Sequence, residues 1–169
     1  MGGREGAAMI ELLTEQELAA PPSTVWRALM DFPAYGAWNG YVRRIEGTAE
    51  LGGRLTVTVA PPGGPPRTFH PVVTRLAPEK TFAWRAVIGT AAIFAGEHIF
   101  ELDATPAGTR LIHREEFSGL ITPLHRRLRL AVTRLGFEAM NADLARLLLH
   151  DQAPRPSRLR DALGSAAVE

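Results

Sequence analysis

Two histidines and a glutamate are the residues of this chain best suited to chemistry. His98, His113 and Glu115 alternate in phase with Phe and Leu residues in the segment GEHIFELDATPAGTRLIHREEFSG, residues 96–119. Residues two apart in a strand point to the same face of a sheet. The pattern therefore predicts ionisable side chains directed into an otherwise apolar interior, which is typical of a ligand cavity.

The turn at Pro106-Ala107-Gly108 predicts the register of this hairpin. If Leu102 faces Leu111 across the turn, every other facing pair follows. The predicted inward pairs are Phe100 with His113, His98 with Glu115, and Gly96 with Phe117. The opposite face has the composition of a solvated surface with cross-strand charge pairs, namely Glu97, Glu101, Asp103, Arg110, Arg114 and Glu116.

The predicted contact between His98 and Glu115 has two interpretations. A carboxylate beside an imidazole in a partly dry pocket can orient the ring, raise its pKa and create a general acid or base. The same pair can instead be a buried, mutually satisfied polar contact that fixes the sheet register or binds a polar group of a ligand. A metal site of two histidines and one carboxylate is a third arrangement, with His113 diagonal to His98. We expect no metal, since no helical His-x-x-x-His spacing accompanies these residues.

The elements around the hairpin predict an α+β fold. Met9–Leu18 alternates as a first strand, Ser23 is a suitable N-cap for a short helix, and an aromatic-rich loop follows. Six strands with short connections come next, and Pro71 indicates an irregularity or an edge position in the fourth strand of the chain. A run of helix formers, Pro123–His150, closes the pattern. We therefore expect a curved seven-stranded antiparallel sheet around a long C-terminal helix, with two short helices after the first strand.

Length and composition fit one domain, residues 9–150, between flexible tails at 1–8 and 151–169. The net charge is only +1, which gives no electrostatic footprint for nucleic acid. The chain has no cysteine, and no apolar run approaches the length of a membrane span. We expect a cytoplasmic protein.

The long helix carries two apolar stripes on nearly opposite faces. Leu124, Leu128 and Leu135 lie in the stripe before Gly136, and Phe137 and Leu144 in the stripe after it. One straight helix cannot bury both stripes against one sheet. A bend that closes the cavity is the interpretation we favour over membrane contact, and a homodimer contact stays open.

The order of elements, the FPAYGAWN stretch, the two hairpin strands and the GFEAMNADLARLL end of the long helix resemble the SRPBCC superfamily. This superfamily contains the START domains, the birch-pollen allergen group and the polyketide cyclase/dehydrase-like proteins, all with the helix-grip fold. The resemblance covers residues 9–149. It implies a ligand cavity between the sheet and the long helix, without metal or other cofactor, lined by Trp38, Tyr41, Trp84, His98, Phe100, His113, Glu115, Phe117, Phe137, Met140, Asn141 and Leu144.

Three functions agree with this resemblance, which is specific for the fold and much less so for activity. The first is binding of a small, largely hydrophobic molecule, aromatic or polyketide-like, with His98 and Glu115 at its polar end. The second is a cyclase or dehydratase that uses the same pair as acid and base. The third is a protein-interaction module of the cochaperone type.

Overall fold

The computed structural model describes residues 9–90, 94–119 and 123–152, with the side chains of all but Ile88, Phe94, residues 123–129 and Gln152. The strands are β1 (Ile10–Leu18), β2 (Val42–Gly47), β3 (Leu55–Val59), β4 (Arg67–Phe69), β5 (Val72–Ala77), β6 (Thr81–Ile88), β7 (Phe94–Thr105) and β8 (Gly108–Ser118). The helices are α1 (Pro22–Met30), α2 (Tyr35–Trp38) and α3 (Pro123–Gln152), with a 3-10 turn, Phe32–Ala34, between α1 and α2. The expected tails lie outside the described residues, except that Asp151 and Gln152 belong to α3.

The strands form two antiparallel sheets. The larger has the order β1-β8-β7-β6-β5 and the smaller has the order β2-β3-β4. An isolated bridge between Arg54 and Val72 joins them, with a main-chain hydrogen bond of 2.9 Å from Gly52 to Val73. The α+β class with a long C-terminal helix is as predicted.

The described chain has eight strands, so the predicted number of seven is wrong. The single strand expected over residues 67–77 is divided into β4 and β5, which belong to different sheets. Pro71 lies at the division. It has no N–H to continue a ladder, but its carbonyl accepts a hydrogen bond of 2.9 Å from the amide of Leu55. The irregularity predicted at Pro71 is therefore the corner between the sheets.

The register of the β7–β8 hairpin is the predicted one. Phe100 pairs with His113, His98 with Glu115, Gly96 with Phe117, and Leu102 with Leu111. On the outer face Arg110 and Asp103 form an ion pair of 2.7 Å, and Arg114 lies within 3.0 Å of carboxylate oxygens of Glu11, Glu101 and Glu116. The inner face is therefore left to apolar side chains and the predicted ionisable ones.

Helix α1 begins two residues earlier than predicted, with Pro21 as its N-cap. Pro22 occupies the first turn, and no side chain caps the helix, so Ser23 is not the N-cap. A proline at this position is favourable because the missing N–H has no partner inside a helix.

Helix α3 lies against the inner face of the larger sheet beside β1. Its second stripe is buried as predicted, with Phe137, Met140, Leu144 and Leu148 at most 3% exposed. In the first stripe Leu135 is 54% exposed, and the side chains of Leu124 and Leu128 lie outside the described residues. None of the described helices combines the length and apolar character that a membrane span requires.

The apolar stripe of α3 changes faces at Gly136, where the Tyr41 ring packs against the helix. Gly136 is buried under the Tyr41 ring, and a Cβ atom at this position would overlap the ring carbons. Because residue 136 is a glycine, the loop after α2 can pack closely against α3. Asp143, about two turns further along, accepts a hydrogen bond of 2.8 Å from the amide of Gly40 and holds the same loop.

Candidate functional site

A chain of hydrogen bonds runs under the larger sheet from β1 to β7. The Thr14 hydroxyl lies 3.1 Å from the His113 carbonyl oxygen, and the Asn141 Nδ2 lies 3.0 Å from the same hydroxyl. Asn141 Oδ1 is 2.7 Å from Nδ1 of His113, whose Nε2 is 2.7 Å from Nε2 of His98. Three strands and α3 thus contribute one group each to a buried relay, defined here as Thr14, Asn141, His113 and His98.

Aromatic rings enclose the two imidazoles of the relay. The Phe137 ring stacks on His113 with centroids 3.8 Å apart and an interplanar angle of 7°, and its centroid is 4.7 Å from that of His98. Trp84 stacks on the other imidazole, His98, at 4.6 Å and 18°. Burial lowers the pKa of His113 to about 3, and burial followed by the neighbouring His113 lowers the pKa of His98 well below its ordinary value. Both rings are therefore neutral near pH 7.

His98 and Glu115 face each other across the hairpin as predicted, but the described structure has no hydrogen bond between their side chains. His98 bonds His113 instead. The Glu115 carboxylate leans over Gly96, where an added Cβ would stand 2.8 Å from Oε1. Across the described residues, Glu115 makes neither a hydrogen bond nor an ion pair. A half-buried carboxyl group of this kind is a candidate for binding something outside the chain.

Burial raises the pKa of Glu115 to about 7. Both the carboxylic acid and the carboxylate are consequently populated near neutral pH. Tyr41 is the nearby ionisable group: burial first, and then the charge of Glu115, raise its pKa, while a hydrogen bond with Thr133 opposes the rise.

The residues predicted to line a cavity divide into two groups. Six are at most 2% exposed and form filled core, namely Phe100, His113, Phe137, Met140, Asn141 and Leu144. The other five are less completely enclosed: Tyr41, Trp84, His98 and Phe117 are buried but 5–9% exposed, and Glu115 is half-buried. We define these five as the open cluster.

Trp38 is not brought to the open cluster by any contact among the described residues. Its ring packs on Tyr35, with centroids 5.0 Å apart.

Thr14 is a residue of the relay that the sequence analysis did not predict. Its only signal was its inward phase with Leu12 in the first strand, which does not distinguish it from ordinary core threonine.

A depression of about 400 Å³ lies between the 3-10 turn and β2. Its lining residues are Phe32, Pro33, Gly36, Arg43, Arg44, Ile45, Glu46 and Gly47. None of them belongs to the open cluster.

A curved antiparallel sheet that holds a long C-terminal helix, with short helices after the first strand, defines a helix-grip protein. The polar groups on the inner face of the larger sheet, towards α3, agree with that class. The chain belongs to the family described as polyketide cyclase / dehydrase and lipid transport, whose model matches residues 9–148. The resemblance to the SRPBCC superfamily is thereby confirmed.

Chains of known structure share this fold. The Zhui aromatase/cyclase from Streptomyces sp. R1128 is 19% identical, with a TM-score of 0.69 over 86% of this chain and 98% of that one. The norcoclaurine synthase of Thalictrum flavum is 15% identical, with a TM-score of 0.67 over 89% and 100%. Protein MLL2253 from Mesorhizobium loti is 25% identical, with a TM-score of 0.65 over 83% and 98%. A search of curated proteins finds no significant match.

Proposed function

We propose that the protein binds a small, largely apolar molecule between the larger sheet and α3, with His98 and Glu115 at its polar end. The observation that carries this proposal is the Glu115 carboxyl group, which is half-buried on the inner face and has no partner among the described residues. Partial burial takes this group out of contact with some of its water without a protein partner in return, and this costs free energy. A ligand that hydrogen-bonds the carboxyl group would remove this cost.

The apolar part of the ligand would contact Trp84 and Phe117. Trp84 is the cross-strand partner of His98, and Phe117 follows Glu115 on the same face of β8. Large aromatic faces on both sides of a polar group are suited to a flat molecule with one polar end. Phe100 and Phe137, expected at first to contact the ligand, are instead occupied with the relay.

Two probes with the same naphthalene ring system test the proposal. 2-Naphthol has a hydroxyl group, and 2-methoxynaphthalene lacks its donor hydrogen. We expect 2-naphthol to bind the wild type in an NMR titration, and Glu115→Ala to weaken it roughly fivefold, the value of one net hydrogen bond. Glu138→Ala, at an exposed position of α3, is the matched control. Failure of 2-naphthol to bind, or equal affinity in both variants, contradicts the proposal.

Native mass spectrometry of the purified protein would search for the natural ligand. We expect a bound small molecule that is lost when the protein is unfolded. The Glu115→Ala variant should retain less of it than the Glu138→Ala variant.

Acid–base catalysis is the second candidate, and the pKa of Glu115 near 7 favours it. A carboxyl group with this pKa can both give and take a proton at neutral pH. With a linear polyketide thioester as substrate, Glu115→Gln should keep the ligand affinity within about twofold but abolish turnover. If no turnover is found with the wild type while binding persists, the enzyme is excluded and the binding protein remains.

A further inference from the structure

The donor and the acceptor of each hydrogen bond in the relay can be assigned, starting from the main-chain carbonyl group of His113. The carbonyl oxygen of His113 can only accept a hydrogen bond, so the Thr14 hydroxyl must donate its single proton there. The hydroxyl oxygen can then only accept from Asn141. The group facing Thr14 is therefore the amide nitrogen, and the amide oxygen faces His113.

The same reasoning continues through the two imidazoles. An amide oxygen accepts, so Nδ1 of His113 carries a proton. A neutral imidazole has one N–H, which leaves Nε2 of His113 as an acceptor. Since Nε2 of His98 lies 2.7 Å from it, His98 must donate from Nε2. The remaining ring nitrogen of His98, Nδ1, is then an acceptor.

A charged His113 would donate from Nε2 as well and would reverse the assignment of His98, but its surroundings oppose the charge. The ring is fully buried beneath Phe137, and the group at its Nδ1 is a neutral amide rather than a carboxylate. Burial of an uncompensated imidazolium is strongly unfavourable. Glu115, the ionisable group in the next inward position of β8, forms no hydrogen bond with it in the described structure.

We propose that Thr14 and Asn141 are positioning residues that hold His98 in the Nε2–H tautomer through His113. Neither touches the open cluster directly. Together they make Nδ1 of His98 a hydrogen-bond acceptor, so that a molecule meeting this atom must donate. This last step rests on the proposed function, whereas the tautomer itself is a property of the protein alone.

Nitrogen-15 NMR of the histidine side chains in the full chain tests the tautomer. In the wild type we expect a proton on Nδ1 of His113 and on Nε2 of His98. Asn141→Asp places a carboxylate at Nδ1 of His113 and favours the imidazolium, which donates from Nε2. His98 should then move its proton to Nδ1. A wild-type His98 with its proton on Nδ1, or a folded Asn141→Asp variant with unchanged spectra, overturns the proposal.

Thr14 provides a second test that keeps the core apolar and well packed. Thr14→Val removes the hydroxyl, so the Asn141 amide can rotate and both tautomers of His98 should appear. Thr14→Ser retains the hydroxyl and should restore the single tautomer. A purely structural role would change the stability of both variants without separating their tautomers. Identical histidine spectra for the Thr14→Val and Thr14→Ser variants would therefore contradict the proposal.

The two naphthalene probes separate this inference from the proposed function. In the wild type and Thr14→Ser, 2-naphthol should bind about fivefold more tightly than 2-methoxynaphthalene below pH 7, since only the former can donate to Nδ1 of His98 while its oxygen accepts from the protonated Glu115 carboxyl group. The ratio should fall towards one in Asn141→Asp. If neither probe binds, the proposed function fails while the histidine spectra still decide the tautomer. If the expected spectra are found but the wild type binds both probes equally, the contact between His98 and the ligand is refuted.

Discussion

Glu115→Gln should stabilise the protein at alkaline pH and have a much smaller effect at acid pH. Burial raises the pKa of Glu115 above its ordinary value, so the folded chain holds this proton more tightly than the unfolded chain. The free energy of unfolding then falls as pH rises between the two pKa values. Below the unfolded pKa of 4.5 no cost exists, and above the folded pKa of about 7 the cost is complete.

The pKa values set the magnitude. The rise is from 4.5 to about 7, and each tenfold change in acidity corresponds to about 1.4 kcal/mol. The ionised carboxylate therefore costs the fold at most about 3 kcal/mol, and partial solvent exposure of the side chain reduces this figure. Glutamine has the same shape but no charge to bury. The free energy of unfolding of Glu115→Gln relative to wild type should thus increase between pH 5 and pH 8.

Urea unfolding of both proteins at several pH values measures this difference. His98 and His113 also make stability depend on pH, because their lowered pKa values cost stability as pH falls below 6.5. They are present in both proteins, so their contribution largely cancels in the difference. Glu138→Gln, at an exposed position, controls for the loss of one negative charge. A difference for Glu115→Gln that is flat from pH 5 to pH 8 would refute the raised pKa and the burial from which it follows.

Three other substitutions test the packing around the site. Gly136→Ala should destabilise the fold by about 1–2 kcal/mol in urea unfolding, because overlap with Tyr41 outweighs the helix preference of alanine; in a Tyr41→Ala background it should stabilise instead. Gly96→Ala should displace the Glu115 carboxyl group and weaken 2-naphthol about fivefold in an NMR titration, while unchanged affinity would show that this position of the carboxyl group is irrelevant. Phe137→Ala should cost about 3–5 kcal/mol of stability and open both imidazoles to water; a loss below about 1 kcal/mol would contradict the stacking described.

The hairpin was predictable because its information is local. The turn at Pro106–Gly108 and strict alternation fix the partners of His98 and Phe100 one by one, and a slip of one residue would turn the charged face inwards. The same kind of local signal marked Pro71 as irregular. It could not show that the chain changes sheets there, since the partners of β4 and β5 are set by distant strands.

The side-chain arrangement at the site was not predictable in this way. Facing backbones suggested that His98 meets Glu115, but the imidazole bonds His113 on the diagonal. This choice depends on Asn141 from α3 and Thr14 from β1, which are separated from His113 by 28 and 99 residues. Phe137 fills the space over both rings, so the expected cavity wall is partly core. Such long-range packing has no signature in a single strand.

For the two apolar stripes of α3, the sequence predicted the feature but not its cause. The helical periodicity predicted that the apolar stripe changes faces at Gly136, and the structure places the Tyr41 ring at that residue. Periodicity detected the anomaly, but only the position of the loop on the helix supplied its reason.

A crystal structure of the protein with bound 2-naphthol tests the central claim most directly. The account predicts the naphthalene ring against Trp84 and Phe117, with its hydroxyl within hydrogen-bond distance of Nδ1 of His98 or the Glu115 carboxyl group. Binding elsewhere, for example in the depression between the 3-10 turn and β2, with the open cluster unchanged, would contradict it.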